Sequence, residues 1–214
     1  GTGLAHTRLD NGVQVISDPM STVESVSLGA WFGVGARDEA PEVNGVAHFL
    51  EHMAFKGTQR RGPRDIAEEI EAVGGHLNAY TSREQTAYYA KVLKQDVGLA
   101  VDILGDILQN STFQEEELNR ERTVILQEIG QAADTPDDII FDLFQETAYP
   151  DQALGRPVLG RAEVVSEMPR AAIVDFIGAN YGGGQMIFSA AGNVDHDALV
   201  ASVEAGFGGL PSRT

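Results

Sequence analysis

Residues Val46 to Phe55 carry apolar side chains on nearly every side of one short helix, and such a helix has to lie inside the molecule. The same run contains His48, Glu51 and His52. Positions four apart stand one turn above each other, so His48 and His52 project from one face. Burying two imidazoles and a carboxylate together is costly unless a partner compensates them, and a cation does so. The spacing therefore predicts one Zn²⁺ gripped by His48 and His52, with Glu51 within reach of a water on the ion. The bland alternative, a helix with incidental histidines, would yield the three-residue pattern in roughly one chain in a hundred of this length. Asn44-Gly45 ahead of the run reads as an N-cap and Gly57 behind it as a stop. That context favours the metal.

A catalytic zinc needs a third protein ligand and a position left open for water. The acidic helix expected from about Gln114 to Ala133 offers one. Projected at about 100° per residue, its apolar face is Leu118, Ile125, Ile129 and Ala132, with Val124 at one edge. Glu128 falls inside that arc and becomes the expected third ligand. Glu121, two turns earlier, also points inward and is expected to steady a histidine or the first carboxylate from behind. Glu115 and Arg120 point to solvent.

The formal charge of −17 argues against nucleic acid or an anionic membrane as partner. No apolar stretch is long enough for a membrane span. The absence of cysteine removes disulfides, thiolate zinc sites and cysteine nucleophiles from consideration. Gly182-Gly183-Gly184 precedes a strand instead of opening a helix, which speaks against a nucleotide-cradling loop. No serine has a visible histidine–acid context. Arg60-Arg61 reads as a solvated loop, and His6 and His196 as surface residues.

Along the chain, alternation around Asp10-Asn11-Gly12 predicts a hairpin, and Val23 to Gly35 a longer strand. After the histidine helix come a helix opened by Pro63, strands over His76–Tyr80 and Thr86–Leu93, and helices over Asp96–Gln109, Gln114–Ala133 and Pro136–Ala148. A Gly/Pro-rich loop, a helix from Pro169 to Asn180, a strand Gln185–Ala191 and a helix Asp195–Phe207 complete it. No linker or repeat divides residues 1–214. The expected fold is α+β: one domain with an antiparallel or mixed β-sheet and helices mainly on one side.

The order His48-x-x-Glu51-His52 with Glu128 about 76 positions on is that of the inverzincins. Together with Thr7–Gly12, Leu77–Glu84 and Leu154–Gly160, it resembles the pitrilysin/insulinase family of metallopeptidases, and within it the processing-peptidase branch, mitochondrial and bacterial. The resemblance spans essentially the whole chain. It implies a zinc endopeptidase that cleaves peptides or unfolded, presequence-like segments. A zinc-activated water would be the nucleophile, Glu51 the general base, His48, His52 and Glu128 the ligands, and Glu121 a carboxylate near the site. It also implies that Asn78-Ala79-Tyr80 lies on an edge strand that receives the peptide substrate as an added strand. Members of the family are built from two homologous halves. This chain resembles the first, so a second half or a partner subunit is expected, and a bacterial cytoplasmic setting ahead of the mitochondrial matrix or periplasm. Two alternatives stand beside this reading. One is a catalytically silent assembly subunit of the same fold, which would be expected to have lost a ligand or the base. The other is a half-enzyme inert without its partner.

Overall fold

The computed structural model describes residues 3 to 213. Six strands form one sheet in the order β1-β2-β6-β3-β5-β4: β1 (Ala5–Arg8), β2 (Gln14–Pro19), β3 (Ser25–Phe32), β4 (His76–Thr81), β5 (Thr86–Leu93) and β6 (Met186–Gly192). All pairs are antiparallel except β2 with β6, so the sheet is mixed. The β1–β2 hairpin turns at Gly12 in the left-handed region, where the Asp10-Asn11-Gly12 signal placed it. β6 comes late in the chain yet fills the gap between β2 and β3. β4 is an edge strand, paired only with β5.

Side-chain alternation decides which face of the sheet is covered. Val26, Leu28, Ala30 and Phe32 of β3 are buried on one face, with Tyr88, Ala90 and Val92 of β5 and Phe188 of β6 beside them. On the opposite face Ser27 and Lys91 are exposed and Ile187 is partly so. The helices accordingly cover one side. They are α1 (Val46–Ala54), α2 (Pro63–Ala72), α3 (Val97–Gln109), α4 (Glu115–Ala133), α5 (Pro136–Ala148), α6 (Ala162–Glu167), α7 (Arg170–Asn180) and α8 (His196–Phe207). Among the described residues no helix is long and apolar enough to cross a membrane.

α1 is the innermost of these, as its all-round apolar sequence demands. Phe49, Leu50 and Met53 are fully buried, each contributing about 1.5–3 kcal/mol of transfer free energy. Its entry matches the expected Asn44-Gly45 position, with Gly45 the N-cap residue, but not the expected donor chemistry. Asn44 does not cap it, because the Asn44 amide donates to the Pro157 carbonyl and to Glu39. The cap is the Glu39 carboxylate, which accepts from the Gly45 and Ala47 N–H groups at 2.8–3.1 Å. Gly45 sits at φ 101° with the Gly160 backbone pressed against it, and an added Cβ would lie 2.9 Å from Gly160 Cα and Leu159 O. Only glycine fits there.

Two surface assignments also change. Arg61 is buried, its guanidinium bonded to Glu69, Asp102 and Asp106 at 2.7–3.1 Å. His196 is half-buried and bridges the hydroxyls of Thr7 and Ser17, pinning the start of α8 to the β1–β2 hairpin. In both cases the partner is remote in sequence, and periodicity carries no sign of it.

Candidate metal centre

α1 presents His48 and His52 side by side, their ring centroids 4.6 Å apart. α4 runs past this face and brings Glu128 to them. Its Oε2 lies 3.6 Å from His48 Nε2 and 3.7 Å from His52 Nε2. Ligand atoms of all three residues fall within 4.8 Å of one another. Tetrahedral zinc with bonds of about 2.0–2.1 Å holds its ligand atoms roughly 3.3–3.4 Å apart, so the Glu128 oxygen stands near the separation from each imidazole that such an ion needs. They are too far apart to hydrogen-bond each other.

The chemistry of the donors agrees. His48 is buried, and neither of its ring nitrogens has a hydrogen-bond partner among the described residues. Burial, with the charge of His52 adding, pulls its pKa down to about 4, so the ring is neutral and keeps a lone pair to donate. The His52 Nδ1–H donates to Glu121 Oε2 at 2.9 Å, which leaves Nε2 free on the Glu128 side. Burial alone would raise the Glu121 carboxyl. The hydrogen bonds and charges of Lys56 and His52 outweigh it and hold the group below its ordinary range. Lys56 Nζ lies 2.8 Å from Glu121 Oε1. An ionised Glu121 is therefore secured from one side and grips His52 from the other. Lys56 was not foreseen from the sequence.

Glu51 sits on the same turn and points to the sheet. Thr81 Oγ1, at the end of β4, donates to its Oε2 at 2.6 Å. Burial raises the Glu51 pKa, the Thr81 bond and the His52 charge oppose this, and the Glu128 charge adds to it. Burial raises the pKa values of Tyr88 and Tyr181, whose hydroxyls are 3.2 Å apart, and the Glu51 charge adds a smaller part. A carboxyl raised by burial is the kind of group that proton transfer uses.

The structure thus brings together the five side chains expected to share one site: His48, Glu51, His52, Glu121 and Glu128. α4 differs from the projection at one point, since Val124 is partly exposed. It lies four residues before Glu128 and shares that residue's open side, where Glu128 itself is 40% exposed. Asn78, Ala79 and Tyr80 lie on β4 next to Thr81, one strand position from the side chain that touches Glu51. The Ala79 N–H is bonded to the Asn78 side-chain oxygen at 2.8 Å. Arg83, just beyond, pairs with Asp142 of α5 at 2.8 Å.

The sequence signature of Insulinase (Peptidase family M16) matches residues 14–162. This chain belongs to that family. It is 47% identical over 204 residues to an uncharacterized zinc protease of Rickettsia felis, covering 95% of the chain and 50% of the relative. It is 46% identical over 206 residues to a probable mitochondrial-processing peptidase subunit beta of Arabidopsis thaliana, covering 96% of the chain and 39% of that protein. Among solved structures, the periplasmic protease PqqL from Escherichia coli superposes with a TM-score of 0.89 at 26% identity, over all of this chain and 24% of the protease. A protease from Helicobacter pylori matches the fold with a TM-score of 0.93 at 24% identity, over 99% of this chain and 51% of that one. The chain spans about half the length of the curated relatives it matches.

Proposed function

We propose that this M16 chain is the metal-bearing half of a zinc-dependent endopeptidase, with one Zn²⁺ held by His48, His52 and Glu128. The observation that carries the reading is the convergence of those three side chains at zinc spacing with Glu51 one residue from His52. When bound, the ion would polarise the scissile carbonyl and acidify a water. Glu51 would accept the attacking water's proton and return it to the leaving amine. Glu121 would hold the His52 ring in the tautomer that leaves Nε2 available. Glu128 would supply negative charge while its exposed flank leaves room for a peptide. Asn78 to Tyr80 would receive that peptide as an added strand, since β4 has a free edge ending beside the base.

Two features bear on the alternatives. A chain retained for assembly alone would be expected to drop a ligand or the base, and all four residues are present. The half-length match to the relatives favours a partner, a homologous second half. The test is metal content and cleavage of a fluorogenic peptide library by the full-length polypeptide, before and after chelation, beside Glu51→Gln. The expected result is stoichiometric zinc, cleavage abolished by chelation, and a Gln variant that keeps zinc but loses about 10²–10⁴ in rate. A Gln variant with wild-type turnover overturns the assignment of Glu51.

A further inference from the structure

We infer that Thr81 is a positioning residue for the Glu51 base, and that it ties the base to the strand proposed to dock the peptide. This rests on the peptidase reading above and adds to it a residue that the reading does not use.

Among the described residues, Thr81 provides the hydrogen bond to the Glu51 carboxylate. The donor is a hydroxyl on a paired strand residue, opposite Thr86 in the register of β4 with β5, so its backbone is fixed by the sheet. Thr86 is itself buried and anchored, its hydroxyl donating to the Val34 carbonyl at 2.9 Å. The following turn is held as well. The Ser82 and Arg83 carbonyls accept from the Ala36 and Arg37 N–H groups, and the Arg83 guanidinium pairs with Asp142. Thr81 therefore offers its proton from a rigid platform.

A glutamate has rotatable bonds that a base has to keep still. With Oε2 accepting from Thr81, the carboxylate plane is set and Oε1 is left to receive a proton. The buried Tyr88–Tyr181 pair lies close enough to feel the Glu51 charge. One polar contact in a desolvated setting is worth more than the same contact in water. Thr81 also follows Asn78-Ala79-Tyr80 directly on β4. A peptide strand added at that edge would settle against the backbone that carries Thr81, so substrate docking and alignment of the base share one mechanical element.

The test compares Thr81→Val, which keeps the shape and removes the hydroxyl, with Thr81→Ser, which keeps the hydroxyl. Both are made in the full-length polypeptide alongside wild type and Glu51→Gln. For Thr81→Val the expected result is a roughly tenfold to hundredfold fall in kcat, the scale of a misaligned catalytic group, with KM, zinc content and melting temperature unchanged. Thr81→Ser is expected to recover most of kcat. Infrared difference spectra of the metal-free proteins provide a readout independent of turnover: Thr81→Val should shift the carboxylate stretch that Glu51→Gln removes. Unchanged kcat and an unshifted band in Thr81→Val overturn the inference. So does an equal loss in Thr81→Ser, or a loss of zinc along with kcat, since either would make the role one of shape or folding. If wild type itself fails to cleave, or Glu51→Gln cleaves normally, the peptidase reading fails instead, and the infrared comparison still decides whether Thr81 holds Glu51.

Discussion

Two polar clusters flank the innermost helix, and they are built on opposite plans. Past its C-terminal end, Arg61 bonds to Glu69, Asp102 and Asp106, while Thr58 and Asn110 add bonds to Asp106 at 2.8 and 2.9 Å. Opposite charges meet there and the donors find acceptors within the chain. At the face of the helix, His48 and His52 of α1 and Glu128 of α4 aim lone pairs at a common point, the Glu128 oxygen 3.6 and 3.7 Å from the two Nε2 atoms. A buried cluster that satisfies itself is architecture, because nothing further is needed to offset its desolvation. A cluster of acceptors converging on each other is incomplete, and the partner proposed to complete it is a cation. Residue type alone does not separate the two cases, since each contains carboxylates and basic groups brought together from separate segments. What separates them is whether donors and acceptors balance.

That contrast can be broken in order of size. Glu128→Gln should leave a folded chain that no longer retains stoichiometric zinc, a loss greater than the roughly hundredfold that an outer partner costs. Metal analysis after dialysis checks it, and full zinc retention would remove Glu128 from the set. Arg61→Met should do the reverse. It takes from Asp106, which is 1% exposed, the nearer of its two cations and leaves Arg60 at 3.5 Å, and should destabilise the fold by about 3 kcal/mol in urea unfolding. The folded fraction should bind zinc as wild type does.

Next in size is a pH effect at the entry to α1. Burial pushes the Glu39 carboxyl up to about 7, against the bonds from Ala47, Gly45 and Asn44 and the nearby Arg156 charge. The folded chain then binds this proton more tightly than the unfolded chain, whose value is near 4.5. The resulting stability is fully present below about pH 4.5 and is lost as pH rises through about 7, up to about 3 kcal/mol in all. Wild type should show this slope relative to Glu39→Gln in unfolding curves between pH 4.5 and 8; parallel curves would refute it. The smallest effect belongs to Glu121→Ala. Freeing the His52 ring should weaken zinc binding roughly tenfold to hundredfold, read by competition with a chromogenic chelator.

The sequence made most of the centre legible because the centre is helical. His48 and His52 share a face by their spacing, and Glu128 and Glu121 fall on the inward arc of α4 by the same arithmetic. Strand boundaries on β4 and β5 also came close, since alternation and turn residues mark them locally. What stayed hidden is contact between segments remote in sequence. Thr81 reaches Glu51 across 30 positions, and Arg61 reaches Asp106 across 45. Asn44 was the natural cap by residue type, yet Glu39 displaced it because the Leu154–Gly160 loop needs the Asn44 amide. Lys56 follows the motif closely, but nothing in its position says that it faces Glu121 and not water.

The strand order bears on how such a chain is made. A ribosome releases β1 to β5 long before it reaches Met186, and until then the β1–β2 hairpin and the β3–β5–β4 ribbon have no common neighbour. The central position stays vacant while His48, His52 and Glu128, the proposed zinc ligands, have already emerged. Closure waits on a strand that pairs with residues more than 150 positions away, a non-local step of the slow kind. The pocket proposed to hold the metal therefore gains its rigid sheet backing only once Met186–Gly192 has emerged, after all the residues that would build it.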